Sequence, residues 1–273
     1  MKPAPFDYLR AASLDEALAA LSRGGEEARV LAGGQSLIAM LNLRLVEPAI
    51  LIDISHLEAL AYIREDGGML EVGAATTQAE LARWPELAAK VPLLAKLLPH
   101  VGHTQTRGRG TVCGSIAHAD PSSELPLCLA LLAGEVVLRS EGGMRRLPAG
   151  DFQTGMLTTA RAADEIVSAV RFPLARADAG YAFTEMTRRH GDFAIVAIAA
   201  EVTGDGSRIA IGGVADRPAV RVLPDGNDLD VALNAVAWDL GAADDIHATA
   251  RYRRELVRRL GRRTIEEART CRP

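Results

Sequence analysis

Short apolar runs and amphipathic stretches follow one another along this chain, and their irregular order limits the choice of fold more than any other feature. Apolar runs at 30–32, 49–54 and 69–73 predict buried strands. Ser13–Glu16 and Thr77–Glu80 have the form of capping boxes and predict helix starts. Strand and helix signals therefore mix without the regular alternation of a doubly wound sheet, which indicates the α+β class.

The middle of the chain continues this mixture. Pro85 and Pro92 predict the starts of helical segments that reach about Leu98. Further elements are expected as a helix at 126–133, a strand at 136–139 with a hairpin turn at Gly142-Gly143, and a strand at 165–172. No internal repeat relates these segments, so a repeat architecture is not expected.

A stretch at 174–180, rich in alanine, aspartate and arginine, is the best candidate for a boundary between two units. After it, the runs 193–202 and 208–214 flank Gly204-Asp205-Gly206, which is a strong hairpin signal. Two helical segments are expected at 229–240 and 244–260. The length of 273 residues suits two compact units, or one large unit with an appended lobe.

Charge and hydropathy exclude several classes of protein. The net charge is −4, with both signs mixed along the chain, so no electrostatic footprint for nucleic acid is present. The arginine-rich stretch Arg251–Arg263 is interpreted as the solvated face of a terminal helix or as a subunit contact. No segment approaches the ~20 apolar residues of a membrane span, and Met1–Arg10 has no apolar run fit for a signal peptide.

The three cysteines, Cys113, Cys128 and Cys271, are far apart in sequence. They form no CxxC pair and no metal-ligand spacing. Neither a metal site nor an iron–sulfur cluster bound by this chain alone is therefore expected. Cysteines in this pattern fit a reducing compartment, and a cytoplasmic location is predicted.

The first segment that indicates binding runs from a strand into two glycines and then into two polar residues. It comprises Ala32, Gly33, Gly34, Gln35, Ser36 and Leu37. Glycines permit a turn with positive φ and let a ligand approach the backbone, and successive free N–H groups form a nest for anions. A pyrophosphate fits such a turn, and an ordinary strand-to-helix turn is the alternative.

The second segment is glycine-rich and hydroxylated, and it is interpreted as a long polar loop between helices. Its candidate residues are Thr111, Cys113, Gly114, Ser115, Asp120 and Glu124. The two hydroxyls can donate to phosphate oxygens, the glycine permits close approach, and the two carboxylates can accept from ribose hydroxyls. Loops of this length are commonly functional, so a bound ligand is predicted here.

Other chemistries fit poorly. No GxGxxG follows a strand, no lysine follows the glycines as in a Walker A motif, and Cys113–Ala117 does not match a nucleophile elbow. The six histidines show no HExxH or HxE pattern, so each is expected to be a surface or hydrogen-bonded residue. Cys113 is expected to be a small packed thiol, with a reactive thiol as the alternative.

Taken together, the two glycine-rich segments resemble the flavin loops of the FAD-binding medium subunit of molybdenum hydroxylases, in the carbon monoxide dehydrogenase and xanthine dehydrogenase family. Further matches lie at Arg188–Ala194 and at Asp245–Ala248 followed by Tyr252–Arg254. The matches span nearly the whole chain in the order of the family. Cys113 departs from the pattern, which usually has glycine there, and the lysine that the xanthine dehydrogenase branch carries near Thr184 is absent.

The resemblance implies a flavin-binding fold of the vanillyl-alcohol-oxidase type (PCMH-type), with two α/β subdomains and a C-terminal α/β lobe. The FAD-binding domain would comprise residues 1–176, with subdomains of about 1–57 and 58–176, and the lobe would comprise 177–273. In such proteins both glycine loops grip the pyrophosphate of FAD. An acidic residue at the position of Glu124 reaches the adenosine ribose, and backbone near Ile166 lies along the flavin ring.

The resemblance also implies an oxidoreductase subunit with no catalytic side chain of its own and no metal ligands. Electrons would leave an organic substrate at a molybdenum–pterin centre in a large subunit and cross [2Fe–2S] clusters in a small subunit. They would then reach FAD in this chain and pass to an external acceptor, so a heterotrimer is expected.

Three rival interpretations remain. One is a stand-alone flavin oxidase or dehydrogenase of the same fold, for which His103 and Cys113 are the candidates for a covalent flavin tether. The second is a nucleotide-reductase fold that uses NADPH. The third is a non-catalytic scaffold that has lost FAD.

Overall fold

Strands and helices are interleaved along the chain, as the patterning predicts. The computed structural model describes residues 2–224 and 228–272. The strands are β1 (Asp7–Arg10), β2 (Ala28–Leu31), β3 (Ile50–Asp53), β4 (Ile63–Asp66), β5 (Met69–Gly73), β6 (Glu135–Ser140), β7 (Gly143–Pro148), β8 (Gln153–Gly155), β9 (Thr158–Thr159), β10 (Ile166–Pro173), β11 (Gly180–Met186), β12 (Val196–Thr203), β13 (Gly206–Gly212) and β14 (Ala219–Leu223). The helices are α1 (Leu14–Gly24), α2 (Leu37–Asn42), α3 (Gln78–Ala82), α4 (Leu87–Lys90), α5 (Pro92–Leu97), α6 (Thr104–Arg107), α7 (Val112–His118), α8 (Glu124–Leu131), α9 (Ala149–Phe152), α10 (Leu229–Asp239) and α11 (Ala250–Thr270).

The first sheet is small and parallel, with the strand order β1–β3–β2. Helix α1 covers it and buries Ala17, Leu18, Ala20 and Leu21. The helix begins after Ser13, whose Oγ accepts a hydrogen bond from the Glu16 N–H at 3.1 Å. The helix start predicted at Ser13–Glu16 is confirmed, with one difference: the Glu16 carboxylate accepts from the N–H of Ala12 instead of from that of Ser13.

The second sheet is antiparallel and has the strand order β4–β5–β10–β6–β7. The predicted strand 69–73 and the hairpin after β6 are confirmed. Thr77 caps α3 in a complete capping box with Glu80, also as predicted. Strand β4 was not predicted because it lies at the sheet edge and three of its four side chains face solvent, so it carries no apolar run.

The third sheet is antiparallel, with the strand order β11–β12–β13–β14. Its two faces carry different side chains because strand residues alternate. Ala197 and Ala199 of β12 face the core that contains the first two sheets and α8, whereas Ile198 and Ala200 face α10 and α11. The small alanine side chains let this sheet lie closely over α8.

The C-terminal helix is longer than the sequence pattern predicts. Helix α11 runs to Thr270, whereas the apolar spacing predicted an end near Leu260. Thr264 lies in the extension, and its buried hydroxyl donates to the Leu260 carbonyl at 2.7 Å. Because the Thr264 hydroxyl is hydrogen-bonded within the helix, the helix continues past this interruption of the apolar pattern.

The three cysteines are free thiols. Cys113 and Cys128 are buried, and burial raises the pKa of both thiols. Cys271 is exposed at the end of α11, and Lys96 Nζ lies 3.7 Å from its sulfur. Across residues 2–224 and 228–272, no helix is both long and apolar enough to cross a bilayer, and no cluster of three or more His, Cys, Asp or Glu residues could hold a metal ion.

A buried ion-pair network joins four strands of the second sheet: β4, β5, β6 and β10. Arg171 of β10 lies opposite Glu71 of β5 on one side and Glu135 of β6 on the other. Its Nη1 donates to Glu135 at 2.8 Å and its Nη2 donates to Asp66 at 2.9 Å. Its Nε lies 3.1 Å from Glu71 Oε2, an ion-pair distance at an angle that makes no hydrogen bond. The Arg171 and Glu71 side chains are 7% and 6% exposed, so each depends on the other for compensation of its charge.

Replacing Arg171 with alanine should lower the free energy of unfolding by about 3 kcal/mol. Glu71 would stay buried with only the exposed Arg64 as a cationic partner. Arg259→Ala is the matched control because it removes a surface pair with Glu255, and a change below about 1 kcal/mol is expected. Chemical denaturation followed by circular dichroism measures both, and equal losses would contradict the assigned role of Arg171.

Candidate functional site

The predicted succession of strand, glycine turn and short helix is confirmed at residues 28–42. Strand β2 ends at Leu31, directly beside Asp53 at the end of β3. The chain then turns through Gly34, whose φ of +71° lies in the left-handed region that favours glycine. Helix α2 begins at Leu37 with Ser36 as its N-cap, and the Ser36 hydroxyl makes no capping bond to the helix.

Gly33 packs directly against the backbone of the second glycine-rich segment. A β-carbon built on Gly33 would lie 2.2 Å from the Arg109 carbonyl oxygen and 2.7 Å from the Gly110 α-carbon. Gly110 in turn faces the side chain of Gln35. The structure thus brings together the two segments that the sequence singled out, at a contact that we call the glycine junction (Gly33, Arg109 and Gly110).

The second segment is a helix, so its interpretation as a long polar loop was wrong. Helix α7 starts after Thr111, whose hydroxyl accepts from the Gly114 N–H at 3.0 Å. The Val112 N–H donates to the Thr76 carbonyl, which attaches the N-terminal end of α7 to the segment that precedes α3. The sequence did not predict this helix because its capping threonine is followed three positions later by glycine, and not by the acidic residue of a capping box.

Helix α7 divides the predicted residues between two environments. Gly114 is exposed and Ser115 is partly exposed, so this face is open to a ligand. Cys113 points the other way, and its sulfur donates to the Val72 carbonyl at 3.4 Å inside the core. Its thiol is therefore the packed thiol that the sequence favoured, and only its backbone remains close to the open face.

A cavity of about 410 Å³ opens beside the glycine turn. Its lining includes four predicted residues, Ala32, Gly33, Gly34 and Gln35. It also includes residues outside the predicted set of site residues: Leu31, Ile38, Ala39, Asn42, Asp53, Ser55 and Arg109. Ser36 and Leu37 do not line it, nor do the predicted residues of α7 and beyond.

Asp53 is the main residue that the sequence missed. Tyr8 Oη donates to its Oδ2 at 2.5 Å and the Ser55 N–H donates to its Oδ1 at 2.8 Å. Burial alone would raise the pKa of Asp53, but these hydrogen bonds outweigh it and lower the pKa. The sequence did contain a signal for this residue, namely an aspartate near the end of the otherwise apolar run 49–54.

The two predicted acids beyond α7 behave differently. Asp120 accepts from the Ser122 N–H at 2.8 Å and closes the turn that leads into α8. Glu124 is the first residue of α8 and is only 7% exposed. Burial raises the pKa of Glu124 to about 7, and the nearby negative charge of Glu185 adds to this effect, whereas His100 opposes it.

Glu124 therefore belongs to a group of titratable residues that the sequence did not connect, and we call Glu124, Glu185 and His100 the acid–histidine cluster. His100 Nδ1 lies 3.2 Å from Glu185 Oε1, and this hydrogen bond is the main reason that the pKa of His100 is raised. The Glu185 side chain is 4% exposed, and its Oε2 is buried without a hydrogen-bond partner.

Arg107 fixes the segment that carries His100. Its Nη1 donates to the carbonyls of Pro99, Val101 and Gly102 at 3.3, 3.0 and 2.9 Å. Arg107 ends α6, and the chain reaches the glycine junction directly afterwards. The acid–histidine cluster and the glycine junction are thus tied to the two ends of one helix about 6 Å long.

Ile166 is not brought to the cavity. It is the first residue of β10, it pairs with Arg139 of β6, and its side chain is buried in the core. The predicted set therefore separates into three groups. The glycine junction unites the residues of the first segment with the start of α7, Glu124 lies in the acid–histidine cluster, and Ile166 lies in the second sheet.

These features fit a flavin nucleotide. The glycine junction leaves no room for a side chain at position 33, and the adjoining cavity has a size usual for ligand pockets. Arg109 supplies a positive charge in its lining.

Comparison with known proteins agrees with this geometry. Residues 4–175 match the family described as the FAD binding domain in molybdopterin dehydrogenase, and residues 181–268 match the carbon monoxide dehydrogenase flavoprotein C-terminal domain. The chain is 34% identical to the 6-hydroxypseudooxynicotine dehydrogenase complex subunit alpha of Paenarthrobacter nicotinovorans, over 98% of this chain and 96% of that one. It is also 34% identical to the carbon monoxide dehydrogenase medium chain of Afipia carboxidovorans, over 98% of each chain.

A solved structure has the same fold. It is the carbon monoxide dehydrogenase from Hydrogenophaga pseudoflava that lacks the Mo-pyranopterin moiety of the molybdenum cofactor, with a TM-score of 0.94, 30% identity and complete coverage of both chains. The PCMH-type fold expected from the sequence is therefore confirmed. The chain belongs to the family of FAD-binding medium subunits of molybdenum hydroxylases, whose members include the carbon monoxide dehydrogenase medium chains.

Proposed function

We propose that this subunit relays electrons from [2Fe–2S] clusters of a partner subunit, through its own FAD, to an external acceptor. The partners would be an iron–sulfur small subunit and a molybdopterin-containing large subunit, in a heterotrimer. The observation that carries the proposal is the glycine junction, which builds a close-approach backbone site in a chain of this family.

The glycine junction would hold the pyrophosphate of FAD. The groups proposed to contact it come from Ala32–Leu37 and from Thr111–Ser115, of which Gly114 and Ser115 lie on the open face of α7 and Thr111 is buried. Thr111 keeps the first turn of α7 formed through its bond to Gly114, and Arg109 contributes positive charge. Asp120 and Glu124 would accept hydrogen bonds from ribose hydroxyls, and backbone near Ile166 would lie along the flavin ring.

The chain's own residues would bind and orient the cofactor and exclude water from it. Bound FAD supplies the redox chemistry, because the isoalloxazine exchanges electrons with donors and acceptors. The buried side chains of α7 and α8 would limit the access of solvent to the cofactor. No side chain of this subunit is proposed to act on the organic substrate.

We also propose a division into an FAD-binding domain at 1–176 and a C-terminal lobe at 177–273. The third sheet and its two helices form their own core on one face, which supports this division. Residues 225–227 and 273 of the lobe lie outside the described residues.

A stand-alone flavin-dependent oxidase or dehydrogenase is the alternative function for a chain of this fold. Burial of the Cys113 thiol in the core argues against a covalent flavin tether at that residue. His103 is exposed and remains the other candidate for a tether.

Gly33→Ala should abolish FAD retention. The new methyl group would meet the Arg109 carbonyl at 2.2 Å, so the two backbone segments must separate. Gly150→Ala is the matched control because nothing lies within 4 Å of its β-carbon position. The ratio of flavin absorbance to protein absorbance reports binding, and circular dichroism reports the fold. Full flavin content in a folded Gly33→Ala variant would overturn the proposed pyrophosphate site.

The complete complex should contain iron and molybdenum bound outside this chain. Affinity purification of the tagged subunit from its native host, followed by metal analysis and separation of the chains, tests this expectation. Both metals should accompany two further chains and should be absent from this one. A flavin-containing complex without either metal would eliminate the electron-relay proposal.

The isolated, FAD-loaded subunit should transfer electrons but should not hydroxylate. Chemically reduced flavin should be reoxidised by quinones or tetrazolium dyes, because flavins exchange electrons with many acceptors. N-heterocycles and aldehydes should leave the oxidised flavin unchanged. Stopped-flow absorbance follows both half-reactions. Rapid bleaching of the flavin by an organic substrate in this preparation would favour the stand-alone oxidase.

A further inference from the structure

The loop between α10 and α11 is held in one conformation by a buried cation. Arg253, in the first turn of α11, donates to the carbonyls of Ala243 and Ala248 at 2.9 and 3.0 Å. It also donates to the Asp245 carboxylate at 2.7 Å, and its side chain is only 8% exposed. Asp245 in turn accepts from two N–H groups of the loop, at 2.8 and 2.9 Å. Residues 243–248 therefore form a rigid turn, which we call the locked loop.

The locked loop presents an apolar side chain to solvent. Ile246 is 89% exposed, the largest exposed fraction among the large apolar side chains of the described residues. Two aromatic side chains accompany it: Trp238, at the end of α10, is 61% exposed, and Tyr252, in the first turn of α11, is 43% exposed. A side chain on a rigid loop loses little conformational entropy when it is covered, and tryptophan and tyrosine are enriched at protein interfaces. These properties favour a docking surface.

Two arginines complete this surface. The Arg254 guanidinium lies over the Trp238 ring, with 4.1 Å between its Cζ and the ring centre. Arg251 is exposed on the same turn of α11. Neither arginine is paired with a carboxylate in the part of the chain that the structure describes. We call Trp238, Ile246, Arg251, Tyr252 and Arg254 the lobe-end surface.

The carboxylates around the lobe-end surface are compensated within the chain. Asp239 pairs with Arg221 at 2.6 Å, and Asp245 lies in the pair that holds the locked loop. Asp244 accepts from the first N–H of α11 at 2.5 Å. Glu255 pairs with two arginines of the next turn. The uncompensated charge at this end of the lobe is therefore positive, and an acidic surface complements it.

The later turns of α11 differ from the first. Arg258, Arg259 and Arg262 form ion pairs with carboxylates of the same lobe, as expected of a solvated helix face. The sequence left two interpretations open for Arg251–Arg263, a solvated face and a subunit contact. The charges divide them between two parts of one helix: the later turns fit the solvated face, and the first turn fits the subunit contact.

We propose that the lobe-end surface docks a partner subunit of the complex, at a place where that partner presents carboxylates around an apolar depression for Ile246. This inference rests on the proposed function, because it requires partner chains. A second copy of this chain is a poor occupant. Two-fold pairing of the surface with itself would bring Arg251 and Arg254 of both copies together, and like charges at an interface oppose association.

The test is competition between two tagged subunits for limiting partner chains in the native host. Wild-type and variant subunits are produced in equal excess and recovered through different tags, and mass spectrometry measures the partner protein bound to each. Ile246→Asp should carry about a hundredth of the partner protein carried by the wild type, the loss typical of an interface hot spot. Met144→Asp is the matched control: Met144 is 59% exposed on β7, and this variant should match the wild type. Equal recovery with Ile246→Asp would overturn the inference.

Arg251→Lys tests the chemistry of the partner independently. A carbodiimide joins an amine directly to a neighbouring carboxylate, so position 251 should become joined to an aspartate or glutamate of a partner chain. Peptide mass spectrometry of the treated complex identifies the product. Joining to a second copy, or within this chain alone, would overturn the inference. Binding of the wild type, but not of Ile246→Asp, to phosphatidylserine vesicles would also overturn it, by assigning the surface to a membrane. A wild-type subunit that recovers no partner chain would instead refute the proposed function, which separates the two failures.

Discussion

The contact between Gly33 and the backbone of Arg109 and Gly110 positions everything else in the candidate site. It joins the end of a parallel strand to the start of α7, although the two segments are far apart in sequence. Because it is a backbone contact, it fixes α6 and α7 with little freedom to adjust. Helix α6 then places His100 through the Arg107 clamp, and α7 leads by the turn at Asp120 to Glu124 on α8. One close approach of two backbone segments thus positions both the open cavity and the acid–histidine cluster.

Two carboxylates near the site illustrate how surroundings decide charge. Asp53 receives hydrogen bonds from Tyr8 and Ser55, and its pKa falls despite burial. Glu124 has no such donors from other side chains, and its pKa rises to about 7. The first acid keeps a constant charge beside the glycine turn. The second can change its charge near neutral pH. Two carboxyl groups therefore differ: one keeps its negative charge, and the charge of the other depends on pH.

Local patterns predicted the elements that depend on nearby residues. The caps at Ser13 and Thr77 and the strand 69–73 were correct because neighbouring side chains decide them. The loop assigned to α7 was wrong because its cap lacks the usual acidic partner. The family and both glycine segments were also predictable, since backbone close approach demands glycine. The sequence could not connect Glu124 with His100 and Glu185, because tertiary packing alone brings three separate elements together.

The distribution of thiols has a practical consequence for measurements on this subunit. Cys113 and Cys128 are enclosed in the core and resist ionisation, whereas Cys271 is exposed beside the ammonium group of Lys96. Maleimide reagents react with accessible thiolates, so a dye or spin label would attach to the end of α11 in the unaltered chain. Energy transfer or dipolar spectroscopy between that label and a flavin radical or chromophore would then report the cofactor's position from a single, natural reference point.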